Sequence, residues 1–304
     1  MPDPSTFFYD EHAALDLMTL SERVQDGAVI QDITYSSPAG GRASAYLIFT
    51  QGEQPAKAGL LFGHWGEGNR DEFVEEAIVL AQLGFASLCL DAPFRRPAEY
   101  EPQLAEPPAA ERQWLLDMRR GVDLLLQRFE LSPGSIGYVG HSFGATYGGT
   151  LAGIEQRISA YVLMAGWYAL SELMQTSTHP LIERDRANTP AEEFQAYLVA
   201  MAPLDASQYI GHAAPAHLFF QFARDDDFVS IADAQRFFDL ASSPKQIAWY
   251  EYCNHELNAQ ARLDRVAFLC EWLGMPLPSQ ELNQLLQQVT SPVPLEGWEE
   301  GEEA

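Results

Sequence analysis

The sequence predicts an α/β fold: a mostly parallel twisted sheet with helices on both faces, entered through an antiparallel hairpin. Three observations carry this. From Ala58 onward, strand-like and helix-like stretches alternate, the order that crossover helices produce between parallel strands. Ahead of them, Val29 to Tyr35 and Arg42 to Phe49 alternate around a Pro38-Ala39-Gly40-Gly41 turn, the signature of a hairpin. In the middle, Gly140-His141-Ser142-Phe143-Gly144 joins the apolar run Ile136 to Val139 to the small-residue stretch Ala145 to Gly153. Strand, sharp turn and helix follow one another there, with a serine at the apex.

Residues 1–28 read as an N-terminal extension with a short amphipathic segment, Ala13 to Val24. After the hairpin come strand Ala58 to Phe62, helix Asp71 to Leu83 and strand Ala86 to Leu90. A proline-rich loop, Asp91 to Pro108, leads to a long helix, Ala109 to Phe129, and then to the strand that ends at the serine. Strand Ala160 to Met164, strand Ala216 to Phe222, helix Ile231 to Leu240, strand Gln246 to Tyr252 and helix Asn258 to Leu273 complete the series. The stretch from about 167 to 214 is too long for an ordinary connection. It holds one helical piece, Ala191 to Met201, and reads as a small cap over the carboxyl edge of the sheet. Trp167, Tyr168, Met174 and Phe194 either line a pocket beneath it or pack it onto the core. The main domain then runs from 29 to 274, and 275–304 is an acidic C-terminal tail outside it.

A net charge of −25 removes nucleic acid and anionic membranes from the candidate partners, because both require a basic face. A hydrophobic content of 47% suffices for a full core and excludes global disorder. No apolar stretch is long enough for a transmembrane helix, and the acidic first residues lack the basic start and apolar core of a signal peptide. Cys89, Cys253 and Cys270 are far apart, odd in number and without metal spacing, so a reducing cytoplasm is the expected compartment.

A serine hydroxyl becomes a nucleophile when it is exposed and has a base beside it. Glycines two positions either side of Ser142 let strand and helix approach closely, so the hydroxyl projects above the sheet. Histidine suits the base, since it titrates near neutrality, and a carboxylate must hold its tautomer. The chain order for this architecture is serine, acid, histidine. The acid candidates Asp225, Asp226 and Asp227 follow the apolar strand that starts at His217, and His255 is the one histidine beyond them. His255 also leaves the last strand as a loop, which puts it at the carboxyl end of the sheet. The main-chain N–H of Phe143, after the nucleophile, is the first expected oxyanion donor, and that of Trp65, in the loop after Ala58 to Phe62, is the second. His64 precedes the serine and is expected to orient that loop, beside the substrate.

From about Val29 to Leu273 the chain resembles the α/β-hydrolase superfamily, within it the dienelactone hydrolase-like and prolyl-oligopeptidase-like esterase branch. The motifs that carry this are Gly140-His-Ser-Phe-Gly144, Ala223-Arg-Asp-Asp-Asp-Phe-Val229, Asn254-His255 and the stretch Gly84 to Pro93. In that branch the acid sits in a Gly-x-x-Asp-x-x-Val turn, which implies Asp226. Two departures stand out. The oxyanion loop, commonly His-Gly-x-Gly, here reads Gly63-His64-Trp65-Gly66, and the cysteine of dienelactone hydrolases proper is here Ser142. The resemblance implies a serine hydrolase that cleaves small-molecule carboxylic esters through an acyl-enzyme, with no metal or cofactor. An acyltransferase, thioesterase, lactonase or peptidase would use the same three side chains. A non-catalytic binding protein on the same scaffold is the alternative from another class.

Overall fold

The computed structural model describes residues 4–52, 55–100 and 109–290, and among these nine strands form one sheet. The strands are β1 (Met18–Gln25), β2 (Ala28–Ser36), β3 (Arg42–Thr50), β4 (Ala58–Gly63), β5 (Phe85–Leu90), β6 (Ile136–His141), β7 (Ile158–Met164), β8 (His217–Ala223) and β9 (Lys245–Tyr250). The helices are α1 (Val74–Ala81), α2 (Ala109–Arg128), α3 (Phe143–Ile154), α4 (Leu170–Thr176), α5 (Pro180–Asn188), α6 (Ala191–Met201), α7 (Ile231–Leu240), α8 (Ala259–Trp272) and α9 (Gln280–Gln288). Every residue of β4, β5 and β6 is buried, as strands covered on both faces must be.

The sheet runs β1-β2-β3-β5-β4-β6-β7-β8-β9. Its first four strands pair antiparallel, and from β5 to β9 the pairing is parallel. Two apolar clusters flank it. Trp114 and Leu115 of α2, Tyr147 and Leu151 of α3, and Phe237 of α7 build one. Ala77 and Leu80 of α1, Val266 and Leu269 of α8, and Leu286 of α9 build the other. The chain departs from β4 to β5 on one side and returns to β6 on the other, so a crevice opens at the carboxyl ends of these strands, where open α/β sheets bind ligands. No helix among the described residues is long and apolar enough to cross a membrane.

The structure differs from the sequence reading at both ends. The segment read as amphipathic contains β1, exposed along its whole length and paired antiparallel with β2. Asp26 and Gly27 both have positive φ, the backbone of a tight two-residue hairpin turn, so the Asp-Gly signal for this strand was in the sequence. Phe7 is buried and meets Tyr209 edge-on, which makes the N-terminal segment part of the core. Residues after Leu273 also dock: α9 packs on α8 and buries Leu286. The strongly acidic stretch 291–304 and the end of the proline-rich loop, 101–108, lie outside the described residues. Between Trp167 and Ala214 there are three α-helices and three short 3-10 helices rather than one helical piece.

Candidate active site

Ser142 stands between the last residue of β6 and the first turn of α3 with φ 53° and ψ −109°, a backbone strained for a residue with a Cβ. Packing enforces it. A methyl on Gly144 would collide with the carbonyl of Gly63 in β4, and one on Gly140 with the carbonyl of Gly144. Glycine at both positions therefore lets α3 start directly against the sheet. Ser142 N–H donates to the Met164 carbonyl at 2.8 Å, and Gly144 N–H to that of His64 at 3.0 Å. Thr146 locks the turn from the far side: its hydroxyl donates to the Ser142 carbonyl at 3.0 Å and accepts Trp167 N–H at 2.9 Å.

Three carboxyl-end loops meet at this turn. His255, after β9, places Nε2 2.7 Å from Ser142 Oγ. Its Nδ1 lies 3.0 Å from both carboxylate oxygens of Asp226, after β8. Nδ1 thus carries the proton toward Asp226, and Nε2 presents a lone pair to the hydroxyl. Burial works against the charged form of Asp226, but the neighbouring His255 and the N–H groups of Val229 and Phe228, at 2.9 and 2.8 Å, hold its carboxyl below the usual range. Asp225 and Asp227 are exposed, as expected for two of three adjacent carboxylates. Asn254, which sequence reasoning left without a role, accepts the N–H groups of both Asp227 and His255 on its side-chain oxygen and joins the acid loop to the histidine loop.

The turn after β4 is organised by His64. One ring nitrogen donates to the Trp65 carbonyl at 2.6 Å, and the other accepts Ala92 N–H at 2.9 Å. Burial pushes its pKa down, consistent with a neutral ring fixed in one tautomer. Trp65 N–H donates to Glu72 at 2.8 Å and is therefore committed in this arrangement rather than open to an oxyanion. Phe143 N–H, at the first turn of α3, makes no hydrogen bond among the described residues. The Trp65 turn still borders it: a methyl on Gly66 would stand 3.9 Å from Phe143 Cβ. Trp167 and Tyr168 are buried in the core cluster on the α3 face, with the Tyr168 hydroxyl accepting from Arg236 at 2.7 Å. Met174 and Phe194 are half-buried on α4 and α6.

Two further residues join the site that the sequence did not single out. Glu72 lies in the turn before α1, and its second oxygen is 2.6 Å from His141 Nδ1, next to Ser142 in the chain. His141 Nε2 is 3.0 Å from the main-chain oxygen of His255. The Gly-x-Ser-x-Gly pattern leaves the residue before the serine open, so no motif signals His141. From the 167–214 stretch, His179 stacks on Phe228 at 3.9 Å between ring centres, and Phe228 lies 4.8 Å from the His255 ring.

No family model and no curated protein matches this sequence. Solved structures do. An acetyl xylan esterase from a Paenibacillus species superposes with a TM-score of 0.69 at 19% identity, over 84% of this chain and 88% of its own. Acetyl xylan esterase 1 from a Thermoanaerobacterium species gives 0.66 at 16%, over 84% and 87%. An esterase of Pyrococcus furiosus gives 0.56 at 14%, over 89% and 96%. The likeness covers most of the chain, and with the nine-stranded, mostly parallel sheet it shows the α/β-hydrolase fold.

Proposed function

We propose that this protein is a serine hydrolase of carboxylic esters. The observation that carries the reading is Ser142 Oγ at 2.7 Å from an imidazole whose other nitrogen faces a buried carboxylate. His255 Nε2 takes the hydroxyl proton as Ser142 attacks the acyl carbon, and Asp226 stabilises the imidazolium that forms. The negative oxygen of the tetrahedral intermediate is held by Phe143 N–H at the positive end of α3. Collapse of that intermediate passes the proton from His255 to the departing alcohol and leaves an acyl-enzyme on Ser142. Water then attacks the acyl carbon as the same nitrogen takes its proton, and collapse of the second intermediate returns that proton to Ser142 Oγ and releases the acid.

Residues 167–214 act as the cap that shapes the substrate side of the site, and the His179–Phe228 stack beside His255 supports this. Because two of the structural neighbours are acetyl xylan esterases, short acyl esters, acetyl first, are the substrate class to try. The three free thiols suit a reducing compartment.

The test is a fluorophosphonate probe followed by mapping of the adduct, alongside hydrolysis of p-nitrophenyl acetate. Modification of Ser142 with loss of turnover is expected. A folded sample that reacts elsewhere, or not at all, overturns the reading, and a lack of turnover that is unchanged by Ser142→Ala points to a binding protein.

A further inference from the structure

We propose that Glu72 and His141 are positioning residues for this reaction, a carboxylate–imidazolium brace that ties together the Trp65 turn, the Ser142 strand and the His255 loop. The inference rests on the reading that Ser142 and His255 carry the chemistry, and it deepens that reading.

Both ring nitrogens of His141 face oxygen acceptors. Nδ1 lies 2.6 Å from Glu72 Oε1, and Nε2 lies 3.0 Å from the His255 carbonyl. A carboxylate and a carbonyl have lone pairs to give and no proton, so each contact is attractive only if the ring nitrogen carries hydrogen. The ring that satisfies both is the cation. Burial opposes that charge, but Glu72, then the His255 carbonyl and Asp226, hold His141 above the ordinary histidine value. The charged or titratable groups facing His141 are Glu72 from the turn before α1, Asp226 from the loop after β8, and His255 from the loop after β9. Two of the three are carboxylates.

The second Glu72 oxygen accepts Trp65 N–H at 2.8 Å, so one carboxylate and one ring reach all three segments. The main-chain oxygen of His255 is held by His141 while its ring is held at Nδ1 by Asp226. Fixing both leaves Nε2 little freedom except toward Ser142 Oγ. The ring centres of His141 and His255 are 5.2 Å apart, close enough for their charges to interact. The Glu72 carboxylate answers the His141 charge locally, so the brace holds the histidine loop without placing a net positive charge beside the base. A misplacement of about 1 Å between reacting groups costs on the order of 100-fold in rate, which sets the scale of what such a brace protects.

The experiment has two arms on the full chain. Nitrogen-resolved histidine NMR over a pH series should show His141 keeping both ring nitrogens protonated above the pH at which an ordinary histidine loses one; a ring that is already neutral there overturns the proposal. This arm needs no activity, so it separates failure of the brace from failure of the esterase reading, which the fluorophosphonate adduct decides. In the second arm, His141→Leu and Glu72→Ala should lower kcat on the order of 10- to 100-fold with KM within about threefold. The double variant should be no worse than the poorer single one. Glu72→Gln should recover most of the rate, because its amide can hold Trp65 N–H and donate to a neutral His141 that still reaches the His255 carbonyl. Folded His141→Leu or Glu72→Ala that turns over within about twofold of the parent overturns the proposal, and so does a Glu72→Gln rate no better than that of Glu72→Ala.

Discussion

Two imidazoles flank Ser142, each beside a carboxylate, and they differ in their second partner. His255 has one nitrogen tied to Asp226 and the other facing a hydroxyl that can give up a proton. His141 has both nitrogens tied to oxygens that hold no proton, so it has nowhere to receive one and no substrate to receive it from. Both rings are buried and they sit 5.2 Å apart. In the proposed reading, what separates a general base from a fixed cation is the second partner. A histidine next to a carboxylate is not by itself a mark of catalysis.

The largest losses are expected on the His255 side. Ser142→Ala or His255→Ala should reduce kcat on the order of 10⁶-fold with the fold intact by circular dichroism, the scale seen when such a unit loses a reacting member. Asp226→Asn should cost about 10⁴-fold, because an amide favours the tautomer that turns a proton toward Ser142. Stopped-flow or long-time esterase assays with matched active-site titration measure both.

A pH series sharpens the contrast, since the two pairs should fail on opposite limbs. Asp226 is held below its unfolded value, so its contribution to stability is present above the ordinary aspartate range and lost as pH falls through the folded value. His141 is held above its unfolded value, so its contribution is present below the ordinary histidine range and lost as pH rises through the folded value. Plots of Tm against pH should therefore lose the acid slope in Asp226→Asn and the alkaline slope in Glu72→Gln. Matching slopes in parent and variants would separate these pairs from the pH response.

The smallest expected effect lies outside both pairs. Thr146→Val removes a hydroxyl that bridges the Ser142 carbonyl and Trp167 N–H. Loss of two neutral hydrogen bonds should lower stability by about 1–3 kcal/mol and slow turnover only a few fold, checked by denaturant titration and kcat.

The reading from the sequence reached the parts whose physics is local. An apolar run, glycines at fixed spacing and a small-residue helix can form a serine turn in one way, so Ser142 was legible from a dozen residues. His255 followed from chain order, since histidines before the serine or the acid strand fall outside that order. Asp226 was separated from Asp225 and Asp227 by resemblance to a family turn. In the structure it is the member of the three whose side chain is buried and caps the Phe228 and Val229 amides. The β1 strand was missed although Asp26-Gly27 announced its turn, because an exposed edge strand lacks the apolar alternation of a buried one. The expectation for Trp65 considered its position after β4 but not the carboxylate seven residues on.

By itself, then, the amino-acid order determined the alternation of elements, the strained turn and the choice of Ser142 and His255 as the candidate nucleophile and base. Each follows from backbone sterics and hydrophobic periodicity acting over a few neighbouring residues. Only the tertiary structure decided what Glu72 and His141 touch, because their partners are Trp65, seven residues away from the first, and His255, 114 residues from the second. Hydrogen bonds between distant loops depend on the direction in which each strand delivers its chain, and that direction exists only once the sheet has formed.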